Sequence, residues 1–475
     1  MNVLLAFLAN TIVNFVIGLT VAKFLGPEEY GRFALAFSIA VVVQTALYDW
    51  LRLSATRFYS KRTRDKEPVV RSTLDAAFIA VTLFLALATG IYALAGPPLD
   101  FETNLILLAL LTSVANGLFD YCTALVRARF HDHAYVRLML AKNALSLVLI
   151  GGGAFIFHSA AVALAGGVAS LFGTVILGRR ALLDPGADIR VASSQNARAL
   201  AAYSAPIVTA HLLYQAMPLA ARSIVASVFG FAETGQFALA YDLGVRAVQA
   251  LGSALDVLLF QIAVAAHELH GVDRAKEQVA RNMGIVVAFL LPACAGLWFV
   301  MPSIEALIVP AQYRGPFGHY LGLLLPGLFA MGVILFGVNP VFQIEKKTAP
   351  LMVAALAAVA FGLALLVILP WGEDASNLAI AQAGAYIAAL VATVYFALRT
   401  QPVWPSFWDM FAALVATGAM SLALTPLRDM SPGILALIVQ VLAGAAVYGL
   451  LTVAFDIAGL GVLATTWLER RFARS

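Results

Sequence analysis

The sequence predicts an all-α polytopic membrane protein with fourteen transmembrane helices. Twelve form two six-helix bundles related by a pseudo-two-fold axis along the membrane normal, and two more follow at the C-terminal end. Three observations predict this. Apolar residues make up 62% of the chain and charged residues 12%, with a mean hydropathy of +0.90. A water-soluble domain is nearer half apolar and a quarter charged, so too little polar side chain is present to cover a soluble surface. Windows of about 20 largely apolar residues, the length that crosses a bilayer, recur along the whole chain. Finally, the stretch Leu25–Ser38 returns as Phe229–Asp242, an offset of 204 residues from 25 to 229. Seven of the fourteen paired positions are identical: Gly26/Gly230, Glu29/Glu233, Gly31/Gly235, Phe33/Phe237, Ala34/Ala238, Leu35/Leu239 and Ala36/Ala240.

The predicted spans run roughly over 1–24, 33–56, 73–95, 103–126, 138–157, 160–178, 199–227, 236–266, 283–301, 320–344, 350–370, 377–398, 407–425 and 432–456. The first apolar run has no basic leader and no clear small-residue cleavage site, so it reads as a retained span rather than a signal peptide. Each copy of the repeated stretch closes one span and opens the next, as a short turn between helices does. Gly96-Pro97-Pro98 and Pro302 punctuate the series. Asn339-Pro340 marks an expected break within span 10.

Loop charge sets the orientation. Arg57, Lys61, Arg62, Arg64, Lys66 and Arg71 crowd one loop, and Arg127, Arg129 and Arg137 the next of the same parity. Arg179, Arg180, Arg190 and Arg198 follow, then Arg274, Lys276 and Arg281, then Lys346, Lys347, Arg399 and the tail residues Arg470, Arg471 and Arg474. The alternate loops carry little beyond Arg32, Arg314 and Arg428. Basic loops face the cytoplasm, which places both termini there, in an inner (plasma) membrane. Each repeat half holds an even number of spans, so both enter the membrane in the same sense, as parallel repeats do. The expected domains are 1–198, 199–400 and 401–475, the last holding two additional helices and a basic tail. Cys122 and Cys294 both fall in apolar segments and are expected as buried free thiols.

An apolar span followed by Leu25-Gly-Pro-Glu-Glu-Tyr-Gly-Arg-Phe33 and a second span resembles the polysaccharide transporter family. These are O-antigen and exopolysaccharide flippases of the multidrug/oligosaccharidyl-lipid/polysaccharide superfamily. The resemblance extends over the whole chain through span count, duplication and basic loops. It implies two six-helix bundles in a V around a central cavity. It also implies passage of an undecaprenyl-pyrophosphate-linked oligosaccharide from the cytoplasmic to the periplasmic leaflet, with a polysaccharide polymerase and chain-length machinery as partners beside the membrane lipids. The family has no fixed substrate motif to carry over.

Charges at bilayer depth cost about 2.5–3.5 kcal/mol on insertion scales, so those within spans need a wet path or a partner. In span 7, His211, Gln215, Pro218 and Arg222 recur at helical spacing on one face. Arg222 is the candidate for an anionic head group, because a guanidinium offers phosphate a planar fork; the alternative is an arginine snorkelling to the interface. Pro206 and Pro218 are expected to bend this span. In span 1, Asn10, Asn14 and Gly18 share a face, with Lys23 at its outer end. Span 2 presents Thr45, Tyr48, Asp49 and Arg52, and span 8 presents Asp242, Arg246, Gln249, Ser253 and Asp256. Asp49 with Arg52, and Asp242 with Arg246, stand at spacings that also allow mutual neutralisation. Asn116, Asp120, Thr123 and Arg127 form a stripe in span 4, and Lys142 in span 5 reads as a positive-inside anchor. The candidate substrate residues are therefore Arg222, Arg246, Arg52, Lys23, His211, Gln215 and Asn14. Asp49, Asp120, Asp242 and Asp256 are candidates for coupling to Na⁺ or H⁺, beside a direct drive from the membrane potential. No cofactor is expected.

The competing readings are a cation-coupled drug antiporter or a lipid II flippase of the same superfamily. A membrane polysaccharide polymerase is a further alternative, although it usually needs a large outer loop and every outer loop here is short. The sequence offers no phosphate-cradling Gly-rich loop, no Ser/His/Asp set and no metal-ligand spacing, so an enzyme is not expected. Its net charge of +4 is accounted for by helix ends and loops, and nothing points to nucleic acid.

Overall fold

The computed structural model describes residues 3–59, 69–96, 101–129, 131–183, 187–344, 349–370, 372–400 and 403–462. Lys61, Arg62, Arg64, Lys66, Pro97, Pro98, Lys346, Lys347, Arg470, Arg471 and Arg474 lie outside the described residues. The elements in order are α1 (Val3–Leu47), α2 (Asp49–Phe58), α3 (Val69–Ala95), α4 (Thr103–Ala128) and α5 (Asp132–Ser146), with a π-helical turn (Leu147–Gly151) leading into α6 (Gly152–Phe157). Next come α7 (Ala160–Leu182), α8 (Ser194–Phe229), α9 (Phe231–His270), α10 (Val272–Leu307) and α11 (Pro316–Gly332). A second π-helical segment (Val333–Val338) precedes α12 (Asn339–Ile344), then α13 (Ala349–Ile368), α14 (Ser376–Thr400), α15 (Phe407–Arg428) and α16 (Ile434–Ala454). The chain is thus an all-helical, multi-pass membrane protein.

Among the described residues, twelve helices are long and apolar enough to cross a membrane. The first of them, Asn10–Leu47, contains Gly26 at φ 77° and ψ 170°, so it joins two of the predicted spans across a break. The polar-striped α9 is not among the twelve and supplies predicted span 236–266. Among the described residues, each predicted span therefore has a helix beneath it. α8 runs on as one helix through Pro206 and Pro218. The expected break at Asn339-Pro340 takes the form of the π-helical segment just before it, a form common where a helix is locally rearranged. Cys122 and Cys294 are free and buried.

The chain packs as two compact units, Met1–Ala238 and Leu239–Ser475. In the first, α1 packs on α4 and α8, α2 on α4 and α8, and α4 on α7. Tyr48, Leu51, Leu74, Tyr121 and Leu125 form a core where α2, α3 and α4 meet. α3 turns Ile79, Leu83, Phe84 and Leu87 outward, as a helix bathed in hydrocarbon does. In the second unit, α13 packs on α14, α11 on α14, α15 on α16 and α10 on α15.

The glycines of both turns, Gly26 and Gly31 in one and Gly230 and Gly235 in the other, lie in the first unit, which ends at Ala238 within the second copy, and they have a common explanation. Gly230 adopts φ 88° and ψ 176°, close to Gly26, in a region open to glycine and strained for other residues. The turns also press on each other reciprocally. A Cβ on Gly31 would stand 1.9 Å from the carbonyl oxygen of Phe231, and one on Gly235 would stand 2.0 Å from that of Pro27. Positions 27 and 231, like 31 and 235, are equivalent under the repeat. Small residues let membrane helices approach at backbone distance, and here each copy supplies the notch that the other fills.

Candidate functional site

The first unit gathers ionisable and amide side chains from five of its helices. Asp49 opens α2, where the helix N-terminus favours a carboxylate. The Arg52 Nε donates to its Oδ1 at 3.1 Å, and its Oδ2 lies 3.7 Å from Nδ1 of His211 on α8. On α4, Asp120 accepts a hydrogen bond from the Gln44 Nε2 of α1 at 2.7 Å. The charges of Arg52, Asp49 and Lys142 all act on Asp120. The Lys142 Nζ of α5 donates to the Asn14 Oδ1 of α1 at 3.0 Å.

Arg52 is the key member. It spends its Nε on Asp49, while its two Nη groups make no hydrogen bond among the described residues, and its side chain is 35% exposed. A guanidinium fixed by one edge with its fork left over is suited to two parallel hydrogen bonds with a phosphate or carboxylate. The flanking amides and imidazole are suited to hydroxyl-rich groups. With the imidazole neutral, Asp49 and Asp120 balance Arg52 and Lys142, so the set avoids the large cost of unpaired charge in an apolar surrounding. Among the described residues no group of His, Cys, Asp and Glu is placed to hold a metal ion.

The structure brings together Asn14, Asp49, Arg52, Asp120 and His211 from the sequence candidates. It sets Arg222 elsewhere: the side chain is buried against α1, with Nη1 donating to the Ala34 carbonyl at 3.2 Å and to the Ser38 Oγ at 2.6 Å. Both of these hydrogen bonds are to a neighbouring helix. Gln215 is exposed. Lys23 is also exposed, with its Nζ 5.8 Å from the Phe24 ring centroid. In the second unit Asp242 and Arg246 are half-buried one turn apart on α9. The side chain of Asp256 lies outside the described residues.

Two members of the set were not singled out as site residues. Gln44 lies one turn before Tyr48 and two before Arg52, and that i, i+4 spacing was a usable signal. Lys142 departs from its reading as an anchor at the membrane surface, since it reaches across to α1. No sequence spacing links Lys142 to Asn14, 128 positions away.

The chain has the fold of the multidrug/oligosaccharidyl-lipid/polysaccharide transporter superfamily. It is similar to the lipid II flippase MurJ in an inward closed conformation, with 15% identity and a TM-score of 0.71, covering 95% of this chain and 98% of that one. It is also similar to an inward-facing multidrug resistance transporter of the MATE family, with 15% identity and a TM-score of 0.62 over 82% of this chain and 94% of that one. A third similar structure is a transporter of the same superfamily from Pyrococcus furiosus with a binding pocket of reversed polarity, at 14% identity and a TM-score of 0.51 over 87% and 94% of the two chains. No family model matches the sequence. No curated protein matches it in sequence either.

Proposed function

We propose that this protein flips an undecaprenyl-pyrophosphate-linked oligosaccharide across the inner membrane for surface polysaccharide biosynthesis. The observation that carries the reading is Arg52, held to Asp49 through Nε with its Nη fork left over, in a unit where Asp49 also meets His211, Gln44 meets Asp120 and Lys142 meets Asn14. A pyrophosphate cannot enter hydrocarbon uncompensated, and this fork together with Lys142 is matched to it. The sugars would ride against the polar residues of the first unit while the polyprenyl chain stays in lipid. An inside-negative potential favours outward movement of an anion by about 2.3 kcal/mol per charge per 100 mV, and coupling to Na⁺ or H⁺ through Asp49 or Asp120 adds a second possible drive.

The likeness to a lipid II flippase over nearly the full length of both chains favours a second reading, in which lipid II is the cargo. A vesicle assay separates the two. The purified protein is reconstituted, and the arrival of each lipid in the opposite leaflet is followed. The expected result is protein-dependent movement of the lipid-linked oligosaccharide, strongly reduced by Arg52→Ala. Movement of lipid II alone would move the assignment to the second reading. Movement of neither would refute both.

A further inference from the structure

The polar residues gathered in the first unit leave some of their atoms unused, and the unused atoms differ in kind. On Arg52 they are the two Nη groups, which only donate. On Gln44 and Asp120 they are acceptors. The Gln44 Nε2 donates to the Asp120 Oδ2 at 2.7 Å. A carboxylate accepts, so this bond fixes the amide with its Oε1 turned away from it. Neither that Oε1 nor the Asp120 Oδ1 has a hydrogen-bond partner among the described residues. Both residues are half-buried, and neither oxygen is among the unpartnered polar atoms that burial shuts off from the surface. Two acceptors therefore stand within reach of a ligand.

These acceptors lie beside the cations. The charges of Arg52 and Lys142 both act on Asp120, and the Lys142 Nζ donates to the Asn14 Oδ1 at 3.0 Å. An anion drawn to the Arg52 fork arrives next to an edge of fixed oxygens. That edge cannot serve a phosphate, because an ionised pyrophosphate diester offers only acceptors, and acceptors set against acceptors repel. A polyprenyl chain has no donor either. Of the parts of a lipid-linked oligosaccharide, only the sugar brings O–H or N–H groups. A site for the pyrophosphate alone gains nothing from the Gln44 Oε1, and a ligand that covers this oxygen without meeting it pays for its lost water.

We propose that Gln44, held by Asp120, reads the sugar next to the pyrophosphate and so separates the loaded carrier lipid from the bare one. The proposal rests on the reading of Arg52 as the pyrophosphate site. A site built to hydrogen-bond a hydroxyl or N–H rejects the analogue that lacks it, because its own polar group is then left unpaired. Bare polyprenyl pyrophosphate is the product left when a glycan is transferred off its carrier. A flippase that took it as readily as the loaded lipid would carry it in competition with the cargo, and the Gln44 Oε1 works against that.

The test uses the full-length protein in detergent with an equal mixture of undecaprenyl pyrophosphate and the same lipid bearing one N-acetylglucosamine, and counts bound lipids by native mass spectrometry. The wild type is expected to retain the glycosylated lipid roughly five-fold over the bare one, the ratio that one neutral hydrogen bond supplies. Gln44→Met, close in shape and without the amide, should bring that ratio to one and leave retention of the bare lipid in place. Arg52→Ala should lower retention of both. A wild type without preference overturns the proposal, as does a preference that survives Gln44→Met. Loss of the bare lipid in Gln44→Met also overturns it, because Gln44 would then act only by holding Asp120 beside Arg52. Retention of neither lipid by the wild type, or retention indifferent to Arg52→Ala, refutes the reading of Arg52 itself and is told apart by the bare lipid alone.

Discussion

Gly31→Ala gives a direct test of the reciprocal contact between the repeated turns. The new methyl would start 1.9 Å from the Phe231 carbonyl oxygen, whereas real Cβ contacts essentially never fall below 3.0 Å. The obstacle is backbone, so no rotamer change relieves it, and the two helices must part by more than an ångström. Overpacking of this kind costs about 1–3 kcal/mol. Alanine is the better helix former by about 1 kcal/mol, which works the other way. Gly90→Ala in α3 has the same propensity gain, and its Cβ meets nothing within 4 Å. Subtracting one from the other isolates the contact. Thermal unfolding of both variants in the same detergent should place Gly31→Ala clearly below Gly90→Ala. Gly235→Ala should resemble Gly31→Ala, and the double variant should lose less than the two losses added, because both relieve one contact. If Gly31→Ala is as stable as Gly90→Ala, the turns do not meet at backbone distance and the reasoning fails.

Other outcomes follow from particular residues. Arg222→Ala removes the charged donor from the Ser38 Oγ and one of two donors from the Ala34 carbonyl, which keeps the Ser38 hydroxyl at 2.8 Å, so it should lower folded yield and thermal stability, while Ser38→Ala alone should cost about 1.5–3 kcal/mol for the lost charged hydrogen bond. Between α13 and α14, burial pushes the Asp374 carboxyl up, but the Ser376 hydroxyl and amide, together with His319, outweigh it and hold the carboxyl below its ordinary value. A depressed carboxyl contributes stability that is present above its unfolded value and lost as pH falls through the folded one. Thermal stability should therefore decline between about pH 5 and pH 2 in the wild type. The part of that decline due to Asp374 should vanish in Asp374→Asn, and identical pH profiles would remove this residue from the account.

The sequence made the helices legible because hydrocarbon demands long apolar runs, and the duplication legible because two glycines per turn are fixed by backbone needs. Gly26 and Gly230 answer to a dihedral angle, and Gly31 and Gly235 to a close approach; neither tolerates drift. The site was legible in part. Asp49 and Arg52 are three residues apart on one short helix, so their pairing could be read from spacing. His211, Gln215, Pro218 and Arg222 do share a helical direction, yet their surroundings differ: Arg222 and Pro218 are buried, His211 is half-exposed and Gln215 is exposed. Helical periodicity gives the direction of a side chain and leaves open which neighbour waits there. For the same reason the hydrogen bonds of Arg222 to Ser38 and the Ala34 carbonyl, 184 and 188 positions back in the chain, could not be read from spacing.

The boundary between the two compact units falls at Ala238 and Leu239, inside α9, which is helical from Phe231 to His270. No linker separates the units along the chain. Fragments cut at the boundary would each end in a severed helix, with raw amides and carbonyls facing oil. Fragments cut at residue 198, the boundary expected from the sequence repeat, would strip the first unit of the helix on which α1 and α2 rest. Anyone hoping to express this protein as two pieces must leave α8 and α9 whole, because one carries the packing of the first unit and the other crosses the boundary.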